Sequence, residues 1–155
     1  MMKKIIIGLM ALSSLVLAQD TKKQAAPKVK CIISGDEIDL AEYSTYKAGK
    51  VYFCCGGCKE EFNDSSAKFT SAANFQLVAT GQYSQTNCPV SGRGVKATKF
   101  VTVEGTKVTF CCSNCLGKAN ESKDKVSLLF SDASFGKGFS VSQKKDKVKK
   151  TKSME

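Results

Sequence analysis

The chain has 155 residues, carries a formal net charge of +10 from 24 basic and 14 acidic side chains, and contains no histidine. Without histidine the usual general base is missing, and neither a Cys–His nor a Ser–His nucleophile pair can form, so we expect no enzyme. Residues 143–155 contain six lysines, two acids and no aromatic side chain. We therefore expect a disordered lysine-rich tail and no nucleic-acid binding, because single-stranded nucleic-acid sites add stacking aromatics to the charge.

The first 18 residues have the pattern of a secretory signal peptide. Two lysines precede an apolar run at 5–18, and Val16 and Ala18 suit cleavage after Ala18. The run of 14 residues is short for a membrane-spanning helix. We predict an exported protein, periplasmic or secreted, that has a net charge of +8 and no stable membrane span after cleavage. Residues 19–30 are polar and basic with one proline, which predicts a linker.

All eight cysteines belong to one pattern that occurs twice. Each copy has four cysteines, and the second copy follows the first at a constant distance of 57 positions. The repeat predicts two tandem units, at 31–87 and 88–142. Units of this size usually need disulfides or a structural metal for stability. The candidate site residues are Cys31, Cys54, Cys55, Cys58, Cys88, Cys111, Cys112 and Cys115.

The sequence between the cysteines predicts a β-hairpin followed by a short helix in the first unit. Residues 43–46 and 51–53 are rich in β-branched and aromatic side chains, and Ala48-Gly49-Lys50 between them predicts the turn. Residues 58–69 predict one or two helical turns, with Phe62 and Phe69 in the core.

The second unit repeats this plan. Its predicted hairpin arms are 100–103 and 108–110, joined by a turn at 104–107, and a helix is expected to begin near 112–115. Between the units, residues 74–83 predict a strand with a glycine turn, and 127–141 are expected to occupy the matching place after the second unit.

Thiols at this spacing bind a soft metal, cross-link the fold or exchange electrons. A strand that ends in cysteines and leads into a helix places sulfurs at the helix N-terminus, where the dipole favours the thiolate that binds metal. With no histidine available, such a site is dominated by sulfur, which selects zinc, copper(I), cadmium or mercury and disfavours magnesium and calcium. We expect about one zinc or copper(I) ion per unit. The sequence names no partner protein.

The two copies, C-[IP]-[IV]-S-G followed after a gap by V-x-F-C-C-x-x-C, resemble the YHS domain and the related TRASH domain. The resemblance covers 31–69 and 88–126. It implies small α+β, treble-clef or zinc-knuckle-like units that bind heavy metals for sensing, trafficking, storage or structure. The TRASH pattern matches Cys31, Cys54 and Cys58 in the first copy and Cys88, Cys111 and Cys115 in the second.

Both copies depart from the YHS pattern after the last cysteine. Ser66 stands where the family has a proline, and the second copy has Ala119 and Val126 in place of its aromatics. The family often lacks a cysteine at the positions of Cys55 and Cys112, so each is a fourth ligand, a bridging ligand or a buried thiol.

Two other functions fit the cysteines. Export to an oxidising space makes a disulfide-stapled interaction protein without metal an alternative. The Cys55–Cys58 and Cys112–Cys115 CxxC segments also allow a thiol redox protein, although the longer strand–helix pattern of thioredoxin-like folds is missing around them.

Overall fold

The computed structural model describes residues 29–143, so the predicted signal peptide, most of the linker and nearly all of the tail lie outside the described residues. The described chain is a small α+β protein with short hairpins and helices, as predicted. In chain order its elements are β1 (Asp39–Tyr46), β2 (Gly49–Phe53), α1 (Gly56–Ser65), a 3-10 turn (Ser66–Phe69), α2 (Thr70–Ala79), β3 (Tyr83–Gln85), β4 (Lys96–Val103), β5 (Thr106–Phe110), α3 (Ser113–Glu121), α4 (Lys125–Phe130), α5 (Asp132–Gly138) and β6 (Phe139–Val141).

Each unit contains the predicted antiparallel hairpin, and the two hairpins have the same register. β1 pairs with β2 and β4 with β5, and both pairs carry a bulge at the same place in the first strand. In β2, the side chains of Val51 and Phe53 are buried while Lys50 is exposed, which is the alternation that a one-sided sheet requires. The turns are tighter than expected, because the strands continue to Tyr46 and Val103 and resume at Gly49 and Thr106.

A helix follows each hairpin directly, as predicted. Phe62 of α1 is buried against Phe53, with ring centroids 5.3 Å apart, and Phe69 lies against Phe62 at 6.4 Å. In α3 the equivalent residue is Ala119, which is also fully buried. Both helices therefore pack onto their hairpins through the same position in spite of the smaller side chain.

The prediction of a strand over residues 74–83 was wrong. These residues form most of α2 and the turn that follows it, and β3 begins only at Tyr83. All side chains from Ala73 to Leu77 are buried, because α2 lies between the first hairpin and the helices α4 and α5. A helix buried on every side shows no 3.6-residue hydrophobic period, and its continuous apolar run resembles that of a strand.

The two units share one core and one sheet. β3 of the first unit pairs with β6 of the second, and the aromatic rings of Phe75 and Phe130 meet with their centroids 5.2 Å apart. Tyr83 pairs with Val141 and Ser84 with Ser140, so the pairing exchanges equivalent positions of the two repeats. The repeats are therefore related by an approximate two-fold axis, as in an isologous dimer. Residues 127–141, which form parts of α4, α5 and β6, occupy the place that α2 and β3 take in the first unit.

Within residues 29–143, no helix combines the length and the apolar character that crossing a bilayer requires.

Candidate metal centre

Three cysteines of the first unit converge between its strand and its helix. Cys54 directly follows β2, Cys58 lies in the first turn of α1, and Cys31 belongs to the turn that precedes β1. The three sulfur atoms all lie within 4.8 Å of one another, and those of Cys54 and Cys58 are 3.7 Å apart. We call Cys31, Cys54 and Cys58 cluster one.

The second unit repeats this arrangement at equivalent positions. Cys88, Cys111 and Cys115 have their sulfur atoms within 4.8 Å of one another, and those of Cys111 and Cys115 are 3.7 Å apart. We call these three residues cluster two. The structure thus brings together, in two groups of three, the six cysteines that match the TRASH pattern. No acidic side chain of the described chain joins either group.

The sulfur spacing suits a metal ion with thiolate ligands. Zinc–sulfur bonds of about 2.3 Å in a tetrahedral site place neighbouring sulfur atoms about 3.8 Å apart. All eight cysteines lie in the described chain and are free thiols, and none of the sulfur separations is close to a covalent bond. An ion entering either cluster therefore needs only small movements of the side chains.

Cys55 and Cys112 lie beside the clusters rather than within them. Each occupies the N-cap position of its helix. The sulfur of Cys55 is 3.8 Å from that of Cys54, and the sulfur of Cys112 is 3.6 Å from that of Cys111. Cys55 is exposed and Cys112 is partly buried. Their role as fourth ligands stays a prediction.

A tight turn positions the first cysteine of each cluster. The backbone N–H of Cys31 donates to the carbonyl of Asp36, and the N–H of Gly35 donates back to the carbonyl of Cys31. Gly35 has a φ of 79° and its equivalent Gly92 a φ of 74°, a conformation that favours glycine. Ser34-Gly35 and Ser91-Gly92 therefore close the turns that hold Cys31 and Cys88.

A serine in each turn contacts a cluster sulfur, which sequence reasoning missed. The hydroxyl of Ser34 lies 3.2 Å from the sulfur of Cys54, and that of Ser91 lies 3.1 Å from the sulfur of Cys111. Each hydroxyl also accepts a backbone N–H two residues further on, which orients it towards the sulfur. The recurrence of serine three residues after the first cysteine was the available signal.

Two glutamines hold the backbone segments that carry the cluster cysteines, and sequence reasoning missed them as well. The side-chain amide of Gln76 accepts from the N–H of Tyr52 at 2.6 Å and donates to the carbonyls of Tyr52 and Lys30 at 3.0 and 3.2 Å. It thereby ties β2, which leads directly into Cys54, to the residue before Cys31.

Gln85, on β3 of the first unit, makes the same contacts beside cluster two. Its amide accepts from the N–H of Thr109 at 2.8 Å and donates to the carbonyls of Thr109 and Asn87 at 2.6 and 2.9 Å. Thr109 and Asn87 are the equivalents of the first unit's contact residues, but Gln85 lies on β3 whereas its counterpart lies on α2. Both clusters are therefore supported by a glutamine of the first unit, each from a different element, which no internal repeat could reveal.

Within each cluster, the pKa of one thiol is lowered and the pKa of another is raised. Burial raises the pKa of Cys31, but nearby backbone N–H groups and the hydroxyl of Ser34 outweigh it and lower the pKa to about 7. Cys88 behaves in the same way, with a pKa of about 7. Burial and the neighbouring thiols raise the pKa of Cys58 and of Cys115 to about 12. Crowded thiols cannot all ionise unless a cation compensates their charge.

Comparison of the chain with protein-family models, with curated proteins and with solved structures finds no match.

Proposed function

We propose that this protein binds one soft or borderline metal ion in each of its two cysteine clusters, through thiolate ligands. The observation that carries the proposal is the convergence of three sulfur atoms within 4.8 Å, twice, at equivalent places of a repeated unit. Structural stapling by disulfides would not require three mutually close thiols. The resemblance to the YHS and TRASH domains supports the same function.

We further propose that Cys55 and Cys112 complete the two sites as fourth ligands. Each sulfur lies next to one cluster sulfur, and each residue occupies the N-cap of a helix, where a negative charge is favoured. Four thiolates would form the closed tetrahedral shell of a zinc or cadmium site, whereas three alone suit the trigonal geometry of copper(I). The ligand count thus bears on the identity of the ion.

The biological role that we propose is metal handling outside the cytoplasm, as storage or delivery, rather than catalysis. The N-terminal pattern supports export, and the lack of histidine in the chain supports binding over acid–base chemistry. Zinc and copper(I) are the ions that we expect.

Titration of the reduced, metal-free protein with Cd²⁺ tests the proposal, because each thiolate–cadmium bond adds to an ultraviolet charge-transfer band. We expect saturation at about two equivalents, and at about one for Cys58→Ser or Cys115→Ser, since each removes a central ligand of one cluster. Ser84→Ala, which changes an exposed side chain of β3 and removes no thiol, is the control. The absence of a charge-transfer band in the folded wild-type chain would contradict metal binding.

A further inference from the structure

The two clusters differ in their exposure to solvent. In cluster two, Cys88, Cys111 and Cys115 are all buried, with 0%, 8% and 7% of their surfaces exposed. In cluster one, Cys54 and Cys58 are partly exposed and only Cys31 is buried. Solvent and solutes therefore have direct access to cluster one and little access to cluster two.

The residues around the last cysteine explain part of this difference. At three equivalent positions the first unit has Gly56, Gly57 and Lys59, and the second has Ser113, Asn114 and Leu116. Leu116 packs against the core, and the ammonium group of Lys99 donates to the hydroxyl of Ser113 at 2.9 Å. The two glycines have no side chain to cover the sulfur atoms, and an added Cβ at either would meet nothing within 4 Å.

The turns that hold the first cysteines differ in the same direction. The turn at Cys31 borders a cavity of about 300 Å³ that Gln76 and Val126 also line. The turn at Cys88 is packed tightly, because Pro89 meets Gly138 so closely that a Cβ there would lie 2.9 Å from the proline. Cluster two is thus enclosed both at the start of α3 and at the turn of Cys88.

The charges around the clusters have opposite signs. Residues 31–69 hold seven acids and four lysines, whereas residues 88–126 hold three acids and seven basic side chains. Four acidic positions of the first unit are basic at the equivalent place in the second: Asp36 and Arg93, Asp39 and Lys96, Glu42 and Lys99, Glu61 and Lys118.

Two of these acidic residues are neighbours of cluster one along the backbone. Asp36 belongs to the turn of Cys31, where its backbone N–H donates to the hydroxyl of Ser34, and that hydroxyl contacts the sulfur of Cys54. Glu61 follows Cys58 by three residues on α1, so the two side chains lie on neighbouring positions of the helix surface. Both residues are exposed to solvent.

Building on the metal-binding function proposed above, we propose that cluster one is the fast entry site for hydrated metal cations, and that cluster two is the slow, retaining site, which loads independently. An open cluster with an acidic surround attracts a hydrated dication, whereas a buried cluster with a basic surround repels it. Loading is ligand substitution without redox change. Each metal–water bond is replaced by a metal–sulfur bond, and each thiol proton passes to solvent.

Stopped-flow mixing of the reduced protein with Cd²⁺, read by the charge-transfer band, tests this assignment. At low salt we expect two phases that differ by about tenfold or more, since electrostatic steering alone changes association rates by at least that factor. The fast phase should remain when Cys88, Cys111 and Cys115 are changed to serine, and should disappear when Cys31, Cys54 and Cys58 are changed. Added salt should slow the fast phase, because it screens exposed charges.

Surface variants of the intact chain give a second test that leaves all thiols in place. Asp36→Arg with Glu61→Lys gives the first unit the charges of the second, and Arg93→Asp with Lys118→Glu does the reverse. We expect the first pair to slow the fast phase and the second to speed the slow phase, each about tenfold. Gly56→Ser with Gly57→Asn, which copies the second unit, should slow the fast phase without a change of charge.

The outcomes separate the two proposals. Two bound ions with equal loading rates, or faster loading of cluster two, would overturn the entry-site assignment and leave metal binding intact. No charge-transfer band in the folded chain would overturn metal binding itself.

Discussion

At the scale of single residues, the thiols are divided into reactive and unreactive groups. Backbone N–H groups, above all that of Cys115, lower the pKa of Cys112 to about 7, and the corresponding group of Cys58 lowers the pKa of Cys55. The pKa of Cys58 and of Cys115 is raised to about 12. Because only the thiolate is a nucleophile, cysteines a few positions apart should differ greatly in reactivity.

We therefore predict that iodoacetamide modifies Cys55 and Cys112 first in the metal-free protein. The thiolate fraction of Cys112 rises as pH increases through about 7, so its rate should increase up to that pH and level off above it. Cys115 should stay unreactive until far more alkaline pH. Peptide mapping by mass spectrometry over a pH series measures both rates. Equal rates at Cys112 and Cys115 near neutral pH would contradict the prediction.

The same pKa shifts predict how the stability of the metal-free protein depends on pH. A thiol with a lowered folded-state pKa, such as Cys31, stabilises the fold increasingly as pH rises from about 7 towards its ordinary value of 9.0. A thiol with a raised pKa, such as Cys58, stabilises the fold below 9.0, and this contribution is lost as pH rises from there towards about 12. Urea unfolding of reduced protein should show stability that increases to about pH 9 and then falls. A continuous increase from pH 9 to 11 would be the contrary result.

At the same scale, Gln85 is predicted to position cluster two. Gln85→Leu leaves the N–H and carbonyl of Thr109 and the carbonyl of Asn87 without their amide partner. We expect about a 10- to 100-fold loss of metal affinity at cluster two, with cluster one unchanged, because outer-shell contacts orient the ligands. Competition titration against a chelator measures both affinities.

Gln82→Leu is the matched control for this variant. Gln82 makes a similar pair of amide contacts with Lys50, but none of its hydrogen bonds reaches the residue before a cluster cysteine. It should lower stability without a selective loss at either cluster. An equal loss of affinity from both variants would show that Gln85 acts through stability alone.

At the scale of the elements, α2 approaches the first hairpin so closely that Gly49 has no room for a side chain. A Cβ at Gly49 would lie 2.7 Å from the side chain of Leu77 and 2.9 Å from that of Gln82. Gly49→Ala should therefore destabilise the protein by about 1–3 kcal/mol through overpacking. Gly117→Ala is the control, since a Cβ there meets nothing and lies within α3, where alanine is favoured. Urea unfolding that ranks Gly49→Ala as the more stable of the two would contradict this packing.

The hairpins and the first helix of each unit could be predicted from the sequence, but α2 could not. Residues such as Val51 and Phe53 alternate in burial, and the repeat supplies the same evidence twice. By contrast, α2 is enclosed by partners that lie more than 50 residues away, such as Phe130, which accepts a hydrogen bond from Asn74. No local pattern carries that information.

The candidate site was predictable to a similar extent. The spacing of the cysteines identified them as candidate ligands, and the structure brings six of them together in two groups of three. Ser34 and Ser91 recur in the repeat, but serine is also common in turns. Their recurrence therefore did not by itself predict a contact with sulfur. Gln76 and Gln85 lie at non-equivalent positions, and only the folded chain shows their common role.

At the scale of the whole molecule, the two units are held together by a shared aromatic core. Phe130 is fully buried, contacts Phe75 of the first unit and stacks on Phe139 at 5.2 Å. Asn74 donates to the carbonyl of Phe130 and to Asp132, which also forms an ion pair with Lys47. Contacts across the units are therefore both apolar and polar.

We predict that the units unfold together in one cooperative transition. Phe130→Ala should lower the free energy of unfolding by about 3–5 kcal/mol and should affect both hairpins, because the cavity it leaves lies between the units. Denaturation of the metal-free chain, followed by far-ultraviolet circular dichroism and by Tyr fluorescence, provides the measurement. Two separated transitions, only one of them shifted by the substitution, would contradict a common core.

The most direct test of metal binding is elemental analysis of the chain lacking residues 1–18, purified with and without reductant, together with a count of free thiols. We predict about two zinc or copper ions per chain, with the thiols protected until a chelator removes the metal. A protein that contains neither metal nor free thiols would contradict the proposed function and favour a disulfide-stapled fold.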